Sequence, residues 1–154
     1  SKELIEQYGS FNNILVPIGG GGLIAGSALS AKYFGDNCSV IGTEPFEVDD
    51  AYRSLMSGKI ETNITTNTIA DGLRTQLGDK NFPIILNEVK EIIRITEDEI
   101  IDSMKLIWQR LKIICEPSCS LPLAGVLKNK DEFKGKKIGI VITGGNIDLD
   151  NLPY

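Results

Sequence analysis

Four consecutive glycines, Gly19 to Gly22, stand between an uncharged apolar run at residues 14–18 and a stretch of small residues at 23–34. A tract without side chains adds nothing to a core, and each glycine loses more backbone freedom on ordering than any other residue. A tight turn needs one or two glycines rather than four. Between a strand and a helix, successive bare amides can curl around one anion, and the positive end of the helix adds to the attraction. The tract therefore reads as a phosphate cradle at a strand-to-helix junction. A P-loop is excluded, because Gly21 and Gly26 have its spacing but Ser27 occupies the position of the essential lysine.

Strand and helix signals alternate along the rest of the chain. Apolar runs of strand length at 14–18, 40–43, 92–95 and 137–142 are separated by helical patterns at 23–34, 49–57, 83–88 and 97–111, and by a small-residue helix that ends at Leu127. Thr96 and Glu99 form a capping box ahead of a stripe of Ile100, Ile101, Met104, Ile107, Trp108 and Leu111. Residues 61–78, rich in Thr and Asn, read mainly as loop. Strands uncharged inside and joined through helices predict an α/β chain, part of a doubly wound, mainly parallel sheet with helices on both faces. Ligands of such sheets sit beyond the carboxyl ends of the strands. Gly19 to Gly22, Glu44 and Thr143 each follow a predicted strand.

Composition removes whole classes of chemistry. The chain has no histidine, which excludes Ser-His-Asp and Cys-His catalysis, HExxH zinc sites and imidazole acid–base work. Cys38, Cys115 and Cys119 form no CxxC pair and read as reduced thiols of a cytoplasmic protein. Acidic side chains outnumber basic ones, 21 to 16, which speaks against nucleic-acid binding. Residues 1–8 lack the apolar core of a secretory signal. The uncharged stretch at 8–31 is interrupted by Asn12, Asn13, Pro17 and the glycines, so no membrane span is expected.

Two further groupings have more than one reading. Glu44 and Asp50 lie around a Glu-Pro-Phe-Glu-Val-Asp-Asp turn that could bring two carboxylates and a backbone carbonyl onto a hard cation. The same aspartates could instead cap and charge the next helix. Gly20-x-Gly22-x-x-Ala25 followed by Glu44 also fits a permissive dinucleotide fingerprint, with Glu44 as the ribose-binding acid of an NAD-type domain. Thr143-Gly144-Gly145-Asn146 places a hydroxyl at a strand end, where it could hydrogen-bond a pyridine nitrogen without forcing its protonation.

Six motifs occur together and in one order: Ile18 with the four glycines and Leu23; Thr43-Glu44-Pro45 with Asp49-Asp50; Thr68 to Gly72; Thr96 to Ile100; Cys115-Glu116-Pro117-Ser118; and Thr143 to Asn146. In these the chain resembles, over essentially all 154 residues, the C-terminal half of the serine racemase and threonine/serine dehydratase family of fold-type II pyridoxal-phosphate enzymes. The resemblance implies that residues 1–154 are the C-terminal part of the large cofactor-binding domain. It implies that Gly19, Gly20, Gly21 and Gly22 hold the pyridoxal 5'-phosphate phosphate group, that Thr143 faces the ring nitrogen and that Glu116 lies near the cofactor. Glu44, Asp50 and the Val48 carbonyl would bind Mg²⁺, with Ca²⁺ or Mn²⁺ as alternatives, and Asn146 would touch ATP as an effector. The family's Schiff-base lysine, substrate-carboxylate loop and second proton base belong to an N-terminal half that this chain lacks. No catalytic residue is therefore expected here, and the chain alone is expected to be inactive. The implied partners are that missing half, an amino-acid substrate (serine or threonine) and a second copy in a homodimer. The implied reactions are interconversion of L- and D-serine and dehydration of serine to pyruvate and ammonia. Dehydration without racemisation is the alternative, and a non-catalytic phosphate- or nucleotide-binding domain the other.

Overall fold

The computed structural model describes residues 1–153. Helix α1 (Lys2–Tyr8) leads to strand β1 (Asn13–Pro17), helix α2 (Gly22–Phe34), strand β2 (Ser39–Pro45) and helix α3 (Asp50–Ser57). A long segment with one 3₁₀ turn (Asp71–Leu73) precedes helix α4 (Phe82–Glu88), strand β3 (Val89–Ile95) and helix α5 (Glu97–Leu111). Helices α6 (Pro117–Lys128) and α7 (Lys130–Phe133) and strand β4 (Ile138–Ile140) complete the order. The strands form one parallel sheet in the order β3-β2-β1-β4.

Both faces of the sheet are dry, which is why its strands carry few charges. Successive strand residues point to opposite faces. Accordingly Ile14, Val16, Val40 and Ile92 pack on one side with Ile24, Ala28 and Ile85 of α2 and α4. Leu15, Ile41 and Ile93 pack on the other side with Ile100, Leu121 and Ala124 of α5 and α6. Full burial of each such Ile or Leu is worth roughly 1.5–3 kcal/mol, so the alternation fixes the register strongly.

Local signals set the helix ends. The Thr96 hydroxyl accepts from Glu99 N–H and the Glu99 carboxylate from Thr96 N–H, the reciprocal capping box. Gly58, at φ 73°, closes α3. Among the described residues no helix is long and apolar enough to cross a membrane.

The structure departs from the sequence expectations at several edges. β4 runs for three residues rather than six; its neighbour β1 ends at Pro17, which has no N–H to extend a ladder. β3 starts at Val89 rather than 92, because an edge strand tolerates the charged Lys90 and Glu91. The short, charged α7 carries no apolar stripe that a sequence pattern could reveal, since Phe133 is its one buried residue. Leu111 closes the α5 stripe in an exposed position.

Candidate functional site

The strand order places the site. From β1 the chain winds outward through β2 to β3, then returns to the other side of β1 as β4. The direction of winding therefore reverses between β1 and β4, and a crevice opens beyond their carboxyl ends. Gly19 follows β1 and Thr143 follows β4. A cleft of about 210 Å³ lies there, lined by the four glycines, Gly72, Leu73, Glu116, Ser118 and Thr143. The structure thus brings together every residue expected at the cofactor, from positions 19 to 143.

Gly21 is the N-cap of α2, in the left-handed region at φ 84°, and it offers no side-chain cap. A side chain at Gly21 would lie 2.6 Å from Leu77 Cδ1 and 3.0 Å from Ile85 Cδ1. The first amides of α2 have no partner within the helix and remain available to an anion in the cleft. From behind, the Gly20 carbonyl accepts from Gly78 N–H at 3.1 Å and from Asn81 Nδ2 at 2.8 Å. These bonds hold the loop with its bare surface toward the cleft.

Glu116 acquires a definite job. Its backbone N–H donates to the Gly144 carbonyl at 3.2 Å, and its Oε2 accepts from Asn146 N–H at 2.9 Å. The N-terminus of α6 is thereby stapled to the Thr143–Asn146 turn, which sets where Thr143 stands. Ser118, in the first turn of α6, accepts from Gly72 N–H at 3.1 Å. Gly72 and Ser118 lay in recognised motifs without an assigned role. Their place in motifs that follow a loop and open a helix was the available signal. Cys115 and Cys119 are free and buried behind this turn, with Cys119 Sγ 3.0 Å from the Gly144 carbonyl.

Glu44, Val48 and Asp50 lie outside the cleft, all nearly fully buried. Glu44 Oε1 accepts from Ala51 N–H at 3.0 Å and Oε2 from Tyr52 N–H at 2.9 Å, so Glu44 caps α3. Neither aspartate makes the expected side-chain cap: Asp49 pairs with Arg53 and Arg94, and Asp50 Oδ2 accepts from Leu77 N–H at 2.6 Å. The ribose-binding role for Glu44 fails because Glu44 lies outside the cleft formed by the glycine loop, with its carboxylate turned onto α3. Burial, with the Asp50 and Asp49 charges beside it, pushes Glu44 well above the usual carboxylate range against the pull of the two amides. Burial raises Asp50 too, opposed by Leu77 N–H and by Asn63 and Glu44.

Two adjacent buried carboxylates are tolerated only when neutralised, by a shared proton or by a cation between them. Asn63, within hydrogen-bonding reach of Asp50, has a buried Oδ1 with no hydrogen-bond partner. The donor set is all oxygen, which fits a hard divalent ion such as Mg²⁺ that keeps several waters. Among the described residues no cluster of three or more His, Cys, Asp or Glu side chains converges, so a carbonyl and waters would complete the shell. Asn146 lines a separate cavity of about 220 Å³ with Asp71 and Asp148 and no basic side chain, a lining that favours a cation over a triphosphate.

Comparison with known proteins agrees with this geometry. Residues 1–144 match the family model described as pyridoxal-phosphate dependent enzyme. The chain is 45% identical over 154 residues to the β-hydroxyaspartate dehydratase of Paracoccus denitrificans, covering all of this chain and 49% of that protein. It is 47% identical over 156 residues to the serine racemase of Dictyostelium discoideum, covering 99% of this chain and 48% of that protein. The crystal structure of serine racemase from Dictyostelium discoideum superposes with a TM-score of 0.89 at 48% identity, covering 96% of this chain and 48% of that one. The chain thus spans about half the length of the curated relatives it matches. A parallel sheet with a bare glycine loop and a hydroxyl at its switch point, and these relatives, lead to one conclusion: the chain belongs to the fold-type II pyridoxal-phosphate dependent enzymes, alongside serine racemases and hydroxyaspartate dehydratases.

Proposed function

We propose that this chain supplies the phosphate cradle, the ring-nitrogen contact and a divalent-cation site of an enzyme that racemises serine and also dehydrates it to pyruvate and ammonia. The observation that carries the reading is the meeting of Gly19 to Gly22 and Thr143 in one switch-point cleft. Bound pyridoxal phosphate supplies a conjugated ring that takes up the electron pair left when the Cα–H bond of an amino acid breaks.

The chain's own residues bind and orient. Amides of the glycine loop and the α2 terminus donate to the phosphate, where helix polarity favours negative charge. The Thr143 hydroxyl hydrogen-bonds the ring nitrogen while leaving it uncharged, and Glu116 holds the turn that carries Thr143. Glu44, Asp50 and the Val48 carbonyl hold Mg²⁺. No lysine lines the cleft among the described residues. In this reading the cofactor-linking lysine, the second proton-transfer group and the site for the substrate carboxylate come from the rest of the full-length protein.

A second reading, hydroxyamino-acid dehydration without racemisation, draws support from the similarity to the Paracoccus dehydratase. Incubation of the purified full-length protein with pyridoxal phosphate, Mg²⁺ and L-serine separates the two. D-serine together with pyruvate supports the racemase reading, and pyruvate alone supports the dehydratase. Absence of any cofactor absorbance in the protein overturns both.

A further inference from the structure

We propose that Asn63 is a positioning residue that couples the Glu44–Asp50 site to the glycine loop, so that cation binding and phosphate binding strengthen each other. This rests on the cation and cofactor reading above. The coupling element is the segment at residues 75–78, which touches both sites.

On its cation side the segment is held at two points. Asp50 Oδ2 accepts from Leu77 N–H at 2.6 Å, and Asn63 Nδ2 donates to the Thr75 carbonyl at 3.0 Å. Asn63 also lies within hydrogen-bonding reach of the Asp50 carboxylate. On its cofactor side the segment meets three of the four glycines. Gly78 N–H donates to the Gly20 carbonyl, Leu77 Cδ1 packs where a side chain at Gly21 would fall, and Thr75 Oγ1 lies 2.9 Å from where one at Gly19 would. Residues 75–78 carry no regular helix or strand of their own, so their conformation depends on these contacts.

Asn63 is singled out by its other end. Its Oδ1 is buried and unpartnered, a costly state unless something donates to it. A water of the cation's shell is such a donor. With it in place, Asn63 is fixed at Oδ1 and its Nδ2 holds Thr75 squarely; without it the amide is free to turn and the segment loosens. The coupling must be reciprocal, because each ligand changes the other's affinity by the same factor.

The test uses the full-length protein stripped of cofactor and metal. Pyridoxal-phosphate affinity is measured by absorbance with and without saturating Mg²⁺, and Mg²⁺ affinity by calorimetry with and without pyridoxal phosphate. Each ligand is expected to tighten the other by one common factor of about five or more. In Asn63→Ala both ligands still bind and the factor falls to about one, a change that simple loss of stability would not produce. An undiminished factor in this variant overturns the proposal. Hydrogen exchange in the unaltered protein tests it independently of folding of the variant: Mg²⁺ alone should slow exchange at the Gly78 amide, and an unchanged rate overturns the proposal. Binding of both ligands without mutual effect overturns the coupling alone. Failure of either ligand to bind overturns the underlying reading with it.

Discussion

Helices α2 and α3 both begin just beyond adjacent parallel strands, yet their first turns are used in opposite ways. At α2 the N-cap is Gly21, no side chain reaches the free amides, and they look into the cleft. At α3 the corresponding amides are taken by Glu44, a carboxylate 1% exposed that reaches across from the end of β2. The first terminus can receive an anion from outside. The second is already closed by a carboxylate from inside, which with Asp50 beside it forms the pair proposed to hold a cation. A helix N-terminus is thus a ligand site only where the sequence withholds its own cap.

The contrast can be broken at the glycine end with the largest effect. Gly21→Val places a branched side chain at φ 84° and within 2.6 Å of Leu77. Loss of two charge-assisted hydrogen bonds to phosphate, at about 1.5–3 kcal/mol each, should weaken cofactor binding roughly a hundred-fold or more. Absorbance titration with pyridoxal phosphate checks this, and an unaltered affinity would remove the loop from the phosphate site.

At α3 a subtler change is informative. Glu44→Gln keeps the shape but turns an NH₂ group toward one helix amide, which should cost about 1–3 kcal/mol. Thermal melting should also show that the stabilisation by added Mg²⁺, expected from mass action in the parent, is lost. A variant that responds to Mg²⁺ as the parent does would leave Glu44 a cap and nothing more. The smallest effect is expected at Thr143, where Thr143→Ala deletes one neutral hydrogen bond of about 0.5–1.5 kcal/mol and should lower cofactor affinity about two- to ten-fold. Thr143→Ser should retain it; equal losses in both variants would point to packing rather than the hydroxyl.

Much of this was legible from local pattern. The apolar run at 14–18 and the capping box at Thr96 and Glu99 each act within a few residues, and each appears where its chemistry predicted, the strand one residue earlier. The helix-capping alternative for Asp49 and Asp50 was wrong in its agent. A carboxylate seven positions before Ala51 does the work, and nothing local distinguishes Glu44 from the nearer acids. Gly72 and Ser118 were visible as motif members, but their bond spans 46 positions. Asn63 carries no local signal in its polar loop, because its contacts are with Asp50 and Thr75, which fold around it.

By itself the sequence determined the types of the main strands and helices, the two-sided burial of the strands, the bare helix start after β1 and the absence of histidine chemistry from this chain. These follow from periods of 2 and 3.6 residues and from the presence or absence of particular side chains. Only the tertiary structure decided that β4 lies beside β1, which sets Thr143 across from the glycines, and that Asp50 reaches Leu77 in the segment behind the glycine loop. Strand order and long-range hydrogen bonds are chosen by how whole faces pack against one another, so no stretch of neighbouring residues contains them.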